Sequence, residues 1–195
     1  MPMLPANLAT FAATVAATVL LAGCGGERRD ARAPHGAFTV AVERAAFASR
    51  QHLAERAELV LTVRNTGVRT IPDLVVTVHG FTDRSGSARD ADPTRDVWIV
   101  DHGPAGATTA FDDTWAAGEL APGHARTLRW EAVPAIAGTH RISYAIAPAT
   151  EGPARAELRG GGAPRGTLTV RISSPPAAAT VDPRTGRVVR LRPRD

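Results

Sequence analysis

The stretch that decides the fold is ELVLTVRNTGVRTIPDLVVTV, Glu58–Val78. Its apolar residues recur at every second position. Leu59, Leu61 and Val63 alternate with Val60, Thr62 and Arg64; Leu74, Val76 and Val78 alternate with Val75, Thr77 and His79. A period of two places successive side chains on opposite faces of an extended chain, so both runs read as strands with one buried face. Asn65-Thr66-Gly67 separates them and reads as a turn. Asn bonds its own backbone two residues on, and Gly accepts backbone angles that a Cβ forbids.

The same period extends outward in both directions. Phe38, Val40 and Val42 alternate with Thr39, Ala41 and Glu43. Leu128 and Trp130, then Ile142, Tyr144 and Ile146, then Leu168, Val170 and Ile172 repeat the pattern, and Asp96–Asp101 (DVWIVD) gives a less regular seventh strand. Ser85-Gly86, Ala121-Pro122-Gly123 and Ala137-Gly138-Thr139 mark turns, and 15 Pro and 18 Gly favour short elements over long helices. The one helical possibility is a single turn over His52–Glu58. About seven short strands predict an all-β chain whose body, residues 37–174, is a two-sheet antiparallel sandwich.

The N-terminus reads differently. Leu8–Gly23 (LATFAATVAATVLLAG) is apolar and uncharged, the length of a signal-peptide core and short for a mature membrane span. It ends in Leu21-Ala22-Gly23-Cys24, and Cys24 is the only cysteine. An aliphatic residue, two small residues and a Cys resemble the bacterial lipobox. The resemblance implies cleavage of a signal-peptide helix over 1–23 and acylation of the Cys24 thiol as a thioether, with residues 24–36 as a flexible tether. Two or three acyl chains hold a protein stably, because each buried methylene adds about 0.8 kcal/mol. The expected place is therefore the extracytoplasmic face of a cell membrane, with the membrane itself as a partner. The segment Met1–Asn7 departs from the pattern in carrying no Arg or Lys, which points to a start further upstream or an unusual leader.

Composition excludes several chemistries. All 23 Lys+Arg residues are Arg, a choice that fits a GC-rich code. Without Lys there is no Schiff-base nucleophile and no P-loop lysine. The net charge is +4, but the Arg residues are scattered among 19 acids and aromatic residues make up only 5%, so stacking platforms are scarce and a nucleic-acid partner is not expected. A lone Cys leaves no intrachain disulfide.

With these strands in place, a family resemblance becomes visible. Glu58–Val78 is similar to two successive strands of bacterial immunoglobulin-like domains of the CARDB type, in which a strand ends in N-x-G. Leu120–Pro134 (LAPGHARTLRWEAVP) and Ala137–Ala147 (AGTHRISYAIA) resemble that family's L-x-P-G turn with its following strand, and its G-T-Y-x-L strand. The resemblance covers most of Phe38–Ser173 and implies an interaction or spacer module, not an enzyme. The antibody-type cysteine pair is absent. Tyr144 stands where a tyrosine corner would place its ring, or is a core aromatic.

Candidate chemistry is thin. Asp90, Asp92 and Asp96 gather oxygens but lack the glycine and closing Glu of a calcium loop, and a solvated acidic loop is the plainer reading. The densest segment is Asp101, His102, Phe111, Asp112, Asp113 and Trp115. These are acids, a histidine and two aromatics suited to a protein or a sugar ring, and the alternative is that Phe111 and Trp115 fold back as a lid on the sandwich. No His pair has metal spacing, no G-x-S-x-G elbow is present and no cofactor is implied. An envelope enzyme or ligand- or metal-binding protein using residues 101–115 is the alternative to a non-catalytic module. The tail, Pro175–Asp195, is locally basic and reads as disordered and solvated, with a turn at Asp182-Pro183-Arg184-Thr185-Gly186 before Val188-Val189-Arg190-Leu191.

Overall fold

The computed structural model describes residues 34–83, 95–176 and 179–190. The leader, Cys24, most of the tether, Asp90 and Asp92 lie outside them. Among the described residues thirteen strands follow in chain order: β1 (Ala37–Ala46), β2 (Arg50–Leu53), β3 (Ala57–Asn65), β4 (Val75–His79), β5 (Trp98–His102), β6 (Thr108–Phe111), β7 (Thr114–Ala116), β8 (Ala125–Pro134), β9 (Gly138–Ala147), β10 (Arg155–Leu158), β11 (Arg165–Pro176), β12 (Ala179–Val181) and β13 (Val188–Arg190). One sheet has the order β10-β1-β3-β8-β5, the other β2-β11-β9-β4-β7-β6, and β12-β13 pair separately. The domain is an immunoglobulin-like β-sandwich.

The residues read as inward in β3 and β4 are buried, and Val60 and Val75, read as outward, are buried as well. Leu59 and Leu61 face Trp130 and Leu128 across the β3–β8 register, and Val76 and Val78 pair with Ile146 and Tyr144 of β9. These side chains close one core that runs from Phe38 to Ile172. Residues 32–195 form one compact unit, and every core residue among the described residues falls within it. Its centre is aromatic: Trp115 stands edge-on to Trp130 with centroids 5.3 Å apart, and Phe81 meets both Trp115 and Trp98 at 6.4 Å. Edge-to-face contacts set the positive ring rim against the negative face and add about 0.5–1.5 kcal/mol each beyond burial.

Three features differ from the expectation. The turn expected to be helical, His52–Glu58, is instead the end of β2, a bend and the start of β3. The chain leaves the first sheet after Ala46 and joins the second at Arg50, where β2 runs parallel to β11. Gln51 fixes this switch: buried, it accepts from Trp98 Nε1 at 2.8 Å and donates to the Ala48 carbonyl at 3.1 Å. Two edges are parallel, β1–β10 and β2–β11, in a sandwich otherwise antiparallel. The tail is not wholly unstructured: β12 and β13 form a hairpin closed at the expected turn, where Gly186 N donates to Asp182 O at 2.8 Å and the Asp182 carboxylate accepts from Arg184 N at 2.8 Å.

Two of the turns read from the sequence, at Asn65-Thr66-Gly67 and Ala121-Pro122-Gly123, meet at one end of the sandwich. Asn65 is fully buried, and its Nδ2 donates to the carbonyls of Arg69 and Leu120, both at 2.8 Å. Its Oδ1 accepts from Gly67 N at 3.0 Å, and its own carbonyl accepts from Gly123 N at 2.8 Å. Arg69 then reaches back over the Phe38 ring at 4.5 Å and donates to the His35 carbonyl, pinning the point where the chain enters the domain.

Candidate functional site

The segment 101–115 is not a single loop, because it crosses from one sheet to the other. Asp101 and His102 end β5, the edge of the five-stranded sheet. There Arg56 Nη2 donates to Asp101 Oδ2 at 2.8 Å, and Glu131 lies 3.4 Å from Arg56 Nη1 and 3.6 Å from His102 Nδ1. The chain then turns at Pro104, whose carbonyl accepts from Ala107 N, and enters the β6–β7 hairpin of the other sheet. Gly103 makes the crossing possible, since a Cβ there would lie 3.0 Å from Trp115 Nε1.

Asp112 and Asp113 form the hairpin's two-residue turn. Asp113 takes a left-handed backbone (φ 59°), its carbonyl accepts from Val78 N at 2.8 Å, and its carboxylate accepts from Thr82 Oγ1 at 2.7 Å. Burial pushes the Asp113 carboxyl above the ordinary range; the Thr82 hydroxyl and His79 oppose this, while Asp112 and Asp83 add to it. Phe111 is 56% exposed, whereas Trp115 is only 7% exposed and packs on Trp130. Trp115 therefore folds back as a lid and Phe111 does not.

The six candidate residues are divided among a sheet edge, a hairpin tip and the core. Asp96, the described member of the upstream acidic trio, is partly buried at the entry to β5. Among the described residues no group of three or more His, Cys, Asp or Glu side chains could hold a metal ion. Tyr144 is a buried aromatic whose hydroxyl makes no hydrogen bond among the described residues; it lies over Gly166, where a Cβ would stand 2.5 Å from the phenol oxygen. Desolvation raises its pKa.

The outer faces of the two sheets differ in charge, which the linear sequence does not display. The five-stranded sheet mixes signs and pairs them: Arg64 with Glu43, Arg129 with Glu58 at 2.9 Å, and Arg56 with Asp101. Such exposed pairs contribute about 0–1 kcal/mol each. The strands of the six-stranded sheet contain Arg50, Arg141, Arg165 and Arg171 and no Asp or Glu. Against this face lies a shallow groove of about 570 Å³ lined by His79, Ser143, Arg165 and Thr167 with the backbone between them.

No protein-family model matches the chain, and no curated protein matches it in sequence. Among solved structures it is similar to the CARDB domain of a Pyrococcus furiosus protein, in complex with di-metal ions, at 15% identity and a TM-score of 0.40, covering 70% of this chain and 93% of that one. It is similar also to native alpha-2-macroglobulin from Escherichia coli, from domain MG7 to the C-terminus, at 18% identity and a TM-score of 0.42, covering 78% of this chain and 21% of that one. At these scores neither likeness bears on this chain's ligands, and the di-metal ions belong to the Pyrococcus domain.

Proposed function

We propose that this chain is an envelope lipoprotein, anchored through Cys24, whose immunoglobulin-like sandwich is a non-catalytic interaction or scaffold module. The observation that carries the reading is Leu21-Ala22-Gly23-Cys24 at the end of an uncharged apolar run, holding the only cysteine in the sequence. The domain supports the non-catalytic part. Its candidate residues are drawn apart, and Asp113, the partly buried acid among them, is engaged in holding a turn.

The test is mass spectrometry of the membrane fraction beside a Cys24→Ala variant. The native chain is expected to begin at Cys24 and to carry a diacylglyceryl thioether, and the variant to lose the acyl mass and its stable membrane attachment. A variant that stays as firmly membrane-bound as the native protein would overturn the anchor. Unchanged partner capture by the isolated domain after alanine replacement of Asp112 and His102 would separate the scaffold reading from the loop-centred alternative.

A further inference from the structure

We infer that the outer face of the β2–β11–β9 part of the six-stranded sheet is a docking surface for an anionic phospholipid membrane. Its geometry follows from strand register. Arg171 of β11 is the direct partner of Arg50 on β2 and of Thr139 on β9, Arg141 of β9 faces Thr169, and Arg165 faces Ala145. All four arginines are exposed, and they alternate with the buried residues Ile142, Ile146, Val170 and Ile172, so they share the outward side. None of the four forms an ion pair among the described residues, whereas the ion pairs seen there all join residues of the five-stranded sheet or the bend leading into it. Arg50 and Arg171 sit side by side with like charge, an arrangement unfavourable in water unless an anion lies over it.

The chemistry between the arginines selects the partner. The remaining outward positions are Thr139, Ser143, Thr167, Thr169, Ser173 and His52 with small alanines. Guanidinium forks beside hydroxyls match phosphate oxygens. Among the described residues no Phe, Tyr or Trp stands on this part of the face to stack on a base or a sugar, the His52 imidazole is half-buried against Ser173 Oγ at 2.7 Å, and there is no large apolar side chain of the kind that anchors a protein interface. A flat basic face without an apolar anchor fits a broad sheet of headgroups, which a tethered domain meets at high local concentration. The nearness of a membrane rests on the anchored reading proposed above; the charge of the face does not.

The test uses residues 32–195, which hold the whole core and carry no acyl chain, so its result is independent of acylation. Binding is measured to vesicles of phosphatidylglycerol mixed with phosphatidylcholine and to phosphatidylcholine alone. Binding is expected only with phosphatidylglycerol and is expected to fall steeply with salt. The Arg141→Glu, Arg165→Glu, Arg171→Glu triple is expected to weaken it by at least about tenfold. The triple Arg44→Glu, Arg155→Glu, Arg159→Glu makes the same change in net charge elsewhere and is expected to have a much smaller effect. A triple to Gln on the proposed face serves if reversal disturbs folding. Equal losses in both triples, binding that ignores phosphatidylglycerol, or capture of soluble polyphosphate with no vesicle binding would each overturn the assignment.

Discussion

Asn65 shows how much one polar residue decides. It is buried completely, and its side chain satisfies two carbonyls and one amide, of which the Leu120 carbonyl is fully buried and the others partly. Asn65→Ala should therefore lose about 2–4 kcal/mol in chemical denaturation, since each buried group left unpaired costs about 1–3 kcal/mol. Asn65→Asp keeps the shape but cannot donate, so it should be no better. Asp113 carries the opposite sign. Its folded pKa is raised, so its charged form opposes folding above that pKa, and the opposition disappears as pH falls below its unfolded value. Asp113→Asn keeps a residue tolerant of left-handed backbone and an acceptor for Thr82; its melting temperature should exceed that of the native chain at pH 7, with the gain vanishing in acid. Tyr144, the only tyrosine in the chain, reports directly: its phenolate absorbance should appear at higher pH than that of free tyrosine. An ordinary midpoint would mean the ring is solvated.

At the scale of elements, the strands with clean alternation were legible because burial on one face dictates their pattern. The Glu58–Val78 stretch holds β3 and β4 within a residue or two of their predicted bounds. What escaped is instructive. β2 has no alternation, and its path is set by a remote strand and by the Gln51–Trp98 bond. β6 and β7 are too short to show a period, so a hairpin read as part of a long loop, and its residues looked like one site when they belong to two sheets. The basic face was hidden for a related reason. Arg50, Arg141, Arg165 and Arg171 are far apart in the chain, and only the register assembles them. Close packing of elements also depends on Gly80, which ends β4 at φ 111°, where a Cβ would press on the Arg141 carbonyl and Ile142 Cα. Gly80→Ala should destabilise by at least about 2 kcal/mol in urea unfolding, because backbone strain and a backbone clash act together.

For the molecule as a whole, the core ends at Ile172, and among the described residues the hairpin β12–β13 pairs with itself alone. An isolated two-stranded hairpin adds little by itself. Truncation after Pro176 should leave the calorimetric melting temperature within about 2 °C of the full domain; a larger drop would assign the hairpin a structural role. The way β1 is held has a mechanical consequence. β1 enters at Ala37 and is held in succession, pairing with β10 over Ala37–Val40 and with β3 from Val40 to Ala46. A pull applied at Ala37 and directed along β1 loads those hydrogen bonds in shear, so they share the force instead of opening one after another. A module tethered at this end can bear tension at its first strand while the rest of the sandwich keeps its shape.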